Sequence, residues 1–162
     1  MDAELSALSA AIAAACRQRR LSIASAESCT GGWAAQVITH TAGSSEWFER
    51  GFITYADAAK IEMLGVQQQT LLNNGAVSME TAAEMAVGAL NHSNALISLA
   101  ITGIAGPGGG SPGKPVGTVF FAWCRRGQPA QTEHCLFPGD REAIRRAAVI
   151  HALQGVLRLV AE

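Results

Sequence analysis

Ser28 and Lys60 are the two residues whose types and settings best suit chemistry. Ser28 lies in AESCTGG (26–32), between an apolar run that predicts a buried strand and a segment that predicts a helix. A helix N-terminus carries partial positive charge and unpaired backbone N–H groups, which suit an oxyanion or a phosphate. A serine held there can serve as a nucleophile, and the alternative interpretation is an ordinary helix N-cap.

Lys60 falls in the first turn of a helix predicted to follow Asp57 as its N-cap. The helix dipole disfavours a cation there, and this field, together with burial, lowers a lysine pKa toward the range of a general base. The alternative is an ordinary solvated lysine. A Ser–Lys pair replaces the His-containing triad, of which the sequence shows no sign. The two side chains meet only if the strands before them are neighbours. Cys29 is the competing nucleophile, inert if buried.

A glycine-rich loop, Thr102–Gly110, follows Ala95–Ile101, the most apolar strand segment of the chain. Open α/β sheets bind ligands in the loops beyond their strand ends, and glycine lets the backbone approach a ligand closely. This loop therefore predicts a ligand site, with a flexible connector as the alternative. Arg141 and Arg145, on one face near the start of the last helix, are placed to meet an anion, or else form surface ion pairs.

Helical and strand patterns mix along the chain, so the sequence predicts one domain, 1–162, folded as a three-layer α/β/α sandwich with a mixed, mainly parallel sheet. The strand order is not predicted. In the helix predicted after Ser78, the apolar positions indicate a buried face at Met79, Ala83, Ala86, Val87 and Leu90. The remaining predicted helices are 3–19, 30–40, 58–64, 67–73 and the segment after Asp140, and the remaining strands are 21–26, 47–54, 118–124 and 130–137.

Composition excludes several classes of protein. Of the 162 residues, 49% are hydrophobic and 15% are charged, and the net charge of -1 argues against nucleic-acid binding. No apolar run is long enough to cross a membrane, and no signal peptide is recognised. The four cysteines are widely spaced and the histidines scattered, which predicts reduced thiols in a cytoplasmic protein with no metal site. We expect no cofactor.

Six ordered motifs resemble the CinA C-terminal domain family over nearly the whole chain. They are AESCTGG (26–32), GFITYADAAK with LGV (51–66), GAVS (75–78), TGIAGPGGG (102–110), KPVGTVF (114–120) and PGDRE with Arg145. The stand-alone members of that family are nicotinamide-nucleotide amidases. The resemblance therefore implies deamidation of nicotinamide mononucleotide (NMN) in pyridine-nucleotide salvage, without metal, and a homodimer or other homo-oligomer. The alternative function is a non-catalytic nucleotide-binding or regulatory module.

The resemblance also assigns roles to residues. It implies Ser28 as nucleophile and Lys60 as base, with Tyr55 and Thr102 orienting Lys60 or relaying its proton, and Arg145 as a supporting arginine. Backbone N–H groups of residues 30–32 are candidates to hold the oxyanion. The predicted substrate-binding set is Glu27, Thr30, Gly31, Gly32, Gly103, Gly106, Gly108, Arg141 and Arg145.

Overall fold

The computed structural model describes all 162 residues as six α-helices, one short 3-10 helix (Ser44–Glu46) and five strands. The helices are α1 (Ala3–Arg19), α2 (Trp33–Ile38), α3 (Asp57–Leu64), α4 (Gln68–Asn74), α5 (Met79–Asn91) and α6 (Arg141–Ala161). The strands are β1 (Ile23–Glu27), β2 (Phe48–Ile53), β3 (Ile97–Gly103), β4 (Thr118–Arg125) and β5 (Gln131–Leu136). No helix is both long and apolar enough to cross a lipid bilayer.

The five strands form one mixed sheet in the order β2-β1-β3-β4-β5. β1 is parallel to both β2 and β3, whereas β3–β4 and β4–β5 are antiparallel. The predicted mixed sheet is confirmed, with parallel pairings making up half of it rather than most. Because β1 lies between β2 and β3 and is parallel to both, the carboxyl ends of all three strands lie at the same edge of the sheet. Ser28 directly follows β1, Thr54 directly follows β2, and Thr102 is the second-last residue of β3.

Helices cover both faces of the sheet, as the predicted α/β/α sandwich requires. Bulky strand residues such as Ile23, Ile97 and Leu99 pack with α1, α2 and α6. Small residues such as Ala24 and Ala100 face α3, α4 and α5. Successive side chains of a strand point to opposite faces of the sheet. The strands therefore contribute to two separate hydrophobic cores, one on each face.

The buried side of α5 packs on the sheet face that is made of small residues. Ala82, Met85 and Ala86 are fully buried, whereas Met79 and Val87 are 45% and 39% exposed. The predicted buried face, which also included Ala83, was therefore partly wrong. The alanines of this sheet face leave room for Met85 and Leu90 of α5 beside its small residues, and Met79 and Val87 fall on the outer side of the helix.

Several element ends differ from prediction near the site. Asp57 is the first residue of α3 and not its N-cap, which is Ala56. α2 begins at Trp33, later than predicted, because Gly31 and Gly32 adopt positive φ angles of 59° and 98° that break a helix. The predicted caps Ser78 and Asp140 are confirmed, with each side chain accepting from the backbone N–H three residues on.

Candidate active site

The structure brings Ser28 and Lys60 together, although 32 positions separate them. Lys60 Nζ lies 2.9 Å from Ser28 Oγ. Ser28 directly follows β1, while Lys60 is on α3, which follows the neighbouring parallel strand β2. Both residues are buried, Lys60 with only 1% of its surface exposed. The predicted nucleophile and base therefore share one protected position at the carboxyl edge of the sheet.

Three oxygen atoms surround the buried amine of Lys60. Nζ donates to the Thr54 carbonyl at 2.7 Å and lies 3.4 Å from the Tyr55 carbonyl. The protonated amine can donate to all three oxygens, whereas the neutral amine donates to the two carbonyls and accepts the Ser28 hydroxyl hydrogen. Burial lowers the pKa of Lys60, although the nearby Asp57 carboxylate opposes this shift by favouring the charged form. The neutral base that the chemistry requires is thus favoured by burial.

The turn after Ser28 is organised by the Glu27 carboxylate. Glu27 is fully buried and accepts from the Thr30 hydroxyl at 2.6 Å. It also accepts from the backbone N–H groups of Gly32, Ala34 and Ala35 at 3.1, 3.0 and 2.8 Å. This carboxylate therefore supplies acceptors for the orphan donors at the start of α2, as a capping residue does.

Arg145 contacts the same turn from α6. Its guanidinium donates to the Cys29 carbonyl at 3.0 Å and to the Thr30 carbonyl at 3.2 Å. It also lies over the Trp33 ring, 5.6 Å from the ring centre. Arg145 is thereby directed to the backbone of the Ser28 turn.

Arg141 lies elsewhere, at the glycine-rich loop. One guanidinium nitrogen donates to the Gly106 carbonyl at 2.7 Å, and another donates to the Tyr55 hydroxyl at 2.9 Å. Tyr55 is 58% exposed, and only its backbone carbonyl approaches Lys60. The structure therefore joins Tyr55 to Arg141 at the rim of the site and not, through its phenol, to Lys60.

Thr102 and Lys114 hold the segment between α4 and α5. The Thr102 hydroxyl donates to the Ala76 carbonyl at 2.7 Å, and Lys114 Nζ donates to the Asn74 and Val77 carbonyls at 2.8 and 2.5 Å. Sequence reasoning did not assign Lys114 a role, and its only signal was its place in the KPVG motif. Thr102 makes its side-chain contact with this segment and not with Lys60.

A cavity of about 270 Å³ lies beside Ser28 and Lys60 and extends to Arg141. It is lined by members of the predicted site (Ser28, Tyr55, Lys60, Thr102, Gly103, Gly106, Gly108 and Arg141) and also by Ala76 and Val77, which sequence reasoning missed. Five predicted substrate-binding residues do not line it: Glu27, Thr30, Gly31, Gly32 and Arg145.

The backbone donors of the turn are largely occupied. Gly31 N–H donates to the Ser28 carbonyl and Gly32 N–H to Glu27, so two of the three predicted oxyanion donors already have acceptors. The N–H groups of Cys29 and Thr30 have none within the protein. Cys29 itself is buried, and burial raises the pKa of its thiol to about 12, which makes it a poor rival to Ser28. No three His, Cys, Asp or Glu side chains are grouped to hold a metal ion.

Comparison with known proteins gives a consistent picture of this chain's fold and family. The family model described as the CinA C-terminal domain matches residues 5–160. Among curated proteins, nicotinamide-nucleotide amidohydrolase PncC of Escherichia coli K12 is 52% identical over 154 residues, covering 94% of this chain and 93% of that protein. PncC of Pseudomonas putida is 48% identical over 146 residues, covering 90% and 91%.

Solved structures agree in architecture. The competence/damage inducible protein CihA of Agrobacterium tumefaciens superposes with a TM-score of 0.96 at 42% identity, covering all of this chain and 98% of that one. A CinA superfamily protein of Escherichia coli superposes with a TM-score of 0.92 at 40% identity, covering 98% and 92%.

Proposed function

The chain belongs to the CinA C-terminal domain family, and from that membership we propose that it deamidates NMN to nicotinate mononucleotide and ammonia. Relatives that are about half identical over nearly their full length are named for this activity. The observation that carries the proposal is the 2.9 Å contact between Lys60 Nζ and Ser28 Oγ beside a cavity. At about 270 Å³, the cavity is close to the lower end of small-ligand pockets, about 300 Å³.

In the first half of the reaction, neutral Lys60 takes the proton of the Ser28 hydroxyl, and Oγ attacks the carboxamide carbon. The carboxamide oxygen gains negative charge as the tetrahedral intermediate forms, and backbone N–H groups stabilise it. The lysine ammonium then returns the proton to the departing nitrogen. The carbon–nitrogen bond breaks, ammonia leaves, and an ester joins Ser28 to the nicotinate mononucleotide acyl group.

In the second half, water takes the place of the serine hydroxyl as nucleophile. Lys60 removes a proton from the water as its oxygen attacks the ester carbon, and then donates that proton to Ser28 Oγ as the ester bond breaks. Nicotinate mononucleotide forms as the acid, gives its remaining proton to solvent and leaves as the carboxylate, and the free enzyme is restored. No step requires a metal or a redox cofactor.

The rim of the cavity supplies the group for the substrate phosphate. Arg141 lines the cavity beside Gly106, and its guanidinium presents several donors in one plane, which suits a phosphate. Tyr55 holds this guanidinium from the other side. We propose that the carboxamide lies at Ser28 and the phosphate at Arg141, with the glycine loop between them.

These assignments imply one functional unit. Ser28, Lys60, the glycine loop and Arg141 all come from one chain around one sheet. We therefore propose residues 1–162 as a single amidohydrolase domain that serves pyridine-nucleotide salvage.

Release of ammonia from NMN by the purified protein tests the proposal. We expect steady turnover by the wild type and none by Ser28→Ala, with both proteins equally folded by circular dichroism. Binding of NMN without ammonia release would instead favour the non-catalytic nucleotide-binding module. Comparable turnover of carboxamides that lack a phosphate would indicate a general amidase.

A further inference from the structure

The turn that carries Ser28 is held from two sides by side chains that lie outside the cavity. Glu27 accepts four hydrogen bonds from the turn and from the start of α2, at 2.6 to 3.1 Å. Arg145 donates two hydrogen bonds to the carbonyls of Cys29 and Thr30. The carboxylate thus binds donors of the segment, while the guanidinium binds its acceptors.

This arrangement leaves a specific pair of backbone donors free. Ser28 N–H donates to the Ile101 carbonyl, and the N–H groups of Gly31 and Gly32 are also occupied. The free pair is Cys29 N–H and Thr30 N–H, the two that follow the nucleophile directly, and of these residues Cys29 lines the cavity whereas Thr30 is fully buried outside it. The Cys29 carbonyl, which accepts from Arg145, belongs to the same planar peptide as the Thr30 N–H. The arginine contact therefore fixes the peptide that joins Cys29 to Thr30, directly after the free Cys29 N–H.

We infer that Glu27 and Arg145 are positioning residues for the deamidation: they fix the Ser28 turn so that the N–H group of Cys29, a residue that lines the cavity, receives the carboxamide oxygen while Oγ attacks. This inference rests on the proposed function. The sequence predicted that Glu27 and Arg145 bind the substrate directly. In this inference they act on the reaction through the backbone of the Ser28 turn instead. Displacing such a turn by about 1 Å can lower a rate by about 100-fold.

The position of Arg145 argues against a phosphate contact. Two of its guanidinium nitrogens already donate to backbone carbonyls of the Ser28 turn, and the guanidinium lies over the Trp33 ring. It does not line the cavity, whereas Arg141 does. The two arginines, four residues apart on α6, are therefore inferred to act on opposite ends of the substrate.

Three arginines of α6 provide a matched test. Arg145→Met removes the inferred positioning contact, Arg141→Met removes the proposed phosphate contact, and Arg146→Met is the control. Arg146 is half-buried like Arg145 but pairs with Asp2 and Glu4 at the surface. Each variant is assayed for kcat and KM with NMN and with nicotinamide riboside, which lacks the phosphate.

We expect Arg145→Met to lower kcat by about 10- to 100-fold on both substrates with little change in KM. Arg145→Lys, which keeps a donor, should recover part of the loss, and Arg146→Met should match the wild type. A rise in KM confined to NMN would show that Arg145 binds the phosphate and would overturn the inference. Equal behaviour of the Arg145 and Arg146 variants would overturn it as well.

Glu27→Gln supplies an independent variant, because one carboxylate oxygen is replaced by a group that cannot accept. We expect the same pattern, a fall in kcat without a rise in KM. If Glu27→Gln keeps wild-type kcat, or raises KM for NMN alone, the carboxylate does not act through the turn.

A substrate-free measurement separates this inference from the proposed function. Hydrogen–deuterium exchange of a peptide covering residues 28–36 should be faster in Arg145→Met than in Arg146→Met, while the β3 peptide stays unchanged in both. Unaltered exchange in 28–36 would contradict a positioning role even in a protein that releases no ammonia from NMN. The wild type could prove unable to release ammonia from NMN while Arg145→Met still exchanges faster. That result would support the positioning role of Arg145 and reject only the proposed reaction.

Discussion

The amine of Lys60 and the hydroxyl of Ser28 are in hydrogen-bond contact at 2.9 Å, at the carboxyl ends of two parallel strands. Neither residue has an ionic partner in this position, and the lysine is enclosed by two backbone carbonyls. A buried lysine without a carboxylate partner is costly in its charged form. This relationship links the fold, which buries the amine, to the chemistry, which needs it neutral.

Lys60→Met should abolish catalysis, because the thioether cannot take the Ser28 proton. We expect a fall in kcat of about 10² to 10⁴, the range for loss of a general base. The measurement is ammonia release from NMN, with thermal unfolding followed to confirm the fold.

Lys60→Arg is the informative companion variant. Arginine keeps the positive charge but does not lose its proton in a protein. We predict that it is as inactive as Lys60→Met. Substantial activity of Lys60→Arg would indicate that the charge of Lys60, and not its basicity, matters.

The pH profile of kcat/KM should show an acidic limb set by Lys60. Burial lowers the pKa of this lysine below 10.5, the value of an unburied lysine, and the active form is the neutral one. Activity should therefore rise with pH through this lowered pKa and level off above it. The rate of Ser28 labelling by a fluorophosphonate, measured against pH, checks the same ionisation without NMN. A labelling limb at 10.5 or higher would contradict the assignment.

The same pKa shift predicts a pH-dependent stability. The folded pKa is lower than the unfolded one, so between the two values the unfolded chain binds more protons and stability rises with pH. Below the folded pKa, burying the charged Lys60 lowers the free energy of unfolding by its full amount. Above the unfolded pKa, Lys60 is neutral in both states and this destabilisation is absent. Unfolding midpoints in denaturant should thus improve with pH in the wild type relative to Lys60→Met. Parallel curves for the two proteins would count against a lowered pKa.

Arg141→Met should impair recognition of the phosphate and spare the chemistry. Removing this guanidinium should raise KM for NMN by about 10-fold or more, since hydrogen bonds to charged groups contribute about 1.5 to 3 kcal/mol. Turnover of nicotinamide riboside should not change. A loss of equal size on both substrates would place Arg141 at the reacting end instead.

Gly88→Ala should disturb the support of Lys60. A Cβ at Gly88 on α5 would lie 2.0 Å from the carbonyl oxygen of Leu64, the last residue of α3. We expect a loss of about 1 to 3 kcal/mol in unfolding free energy from this overpacking, together with lower kcat as α3 shifts. Gly113→Ala is the control, because a Cβ there meets nothing within 4 Å and the backbone φ is not positive. Equal stability of the two variants in urea would contradict the close packing of α3 and α5.

The parts of the site that sequence reasoning could reach were those encoded locally. The strand–turn–helix pattern around Ser28 and the helix around Lys60 are read from apolar periodicity and cap residues. Their meeting was conditional on β1 and β2 being neighbours, which periodicity does not determine. The sheet order β2-β1-β3 satisfies that condition.

The roles of Glu27, Arg145 and Lys114 could not be read from local patterns. Each acts on backbone carbonyl or N–H groups that are brought near by the fold, and Arg145 reaches a turn more than 100 positions away. Sequence alone shows that an arginine near a helix start is available for an acceptor, but not whether a phosphate or a carbonyl is that acceptor. The homo-oligomer and the cytoplasmic location stay predictions.

The most direct test of the account is to trap the ester on Ser28. Wild-type protein mixed with NMN and quenched in acid within the first turnovers should carry the nicotinate mononucleotide acyl group on the peptide that contains Ser28, by mass spectrometry. Ser28→Ala should carry none and should release no ammonia. Ammonia release by Ser28→Ala at a rate near that of the wild type would contradict the central claim.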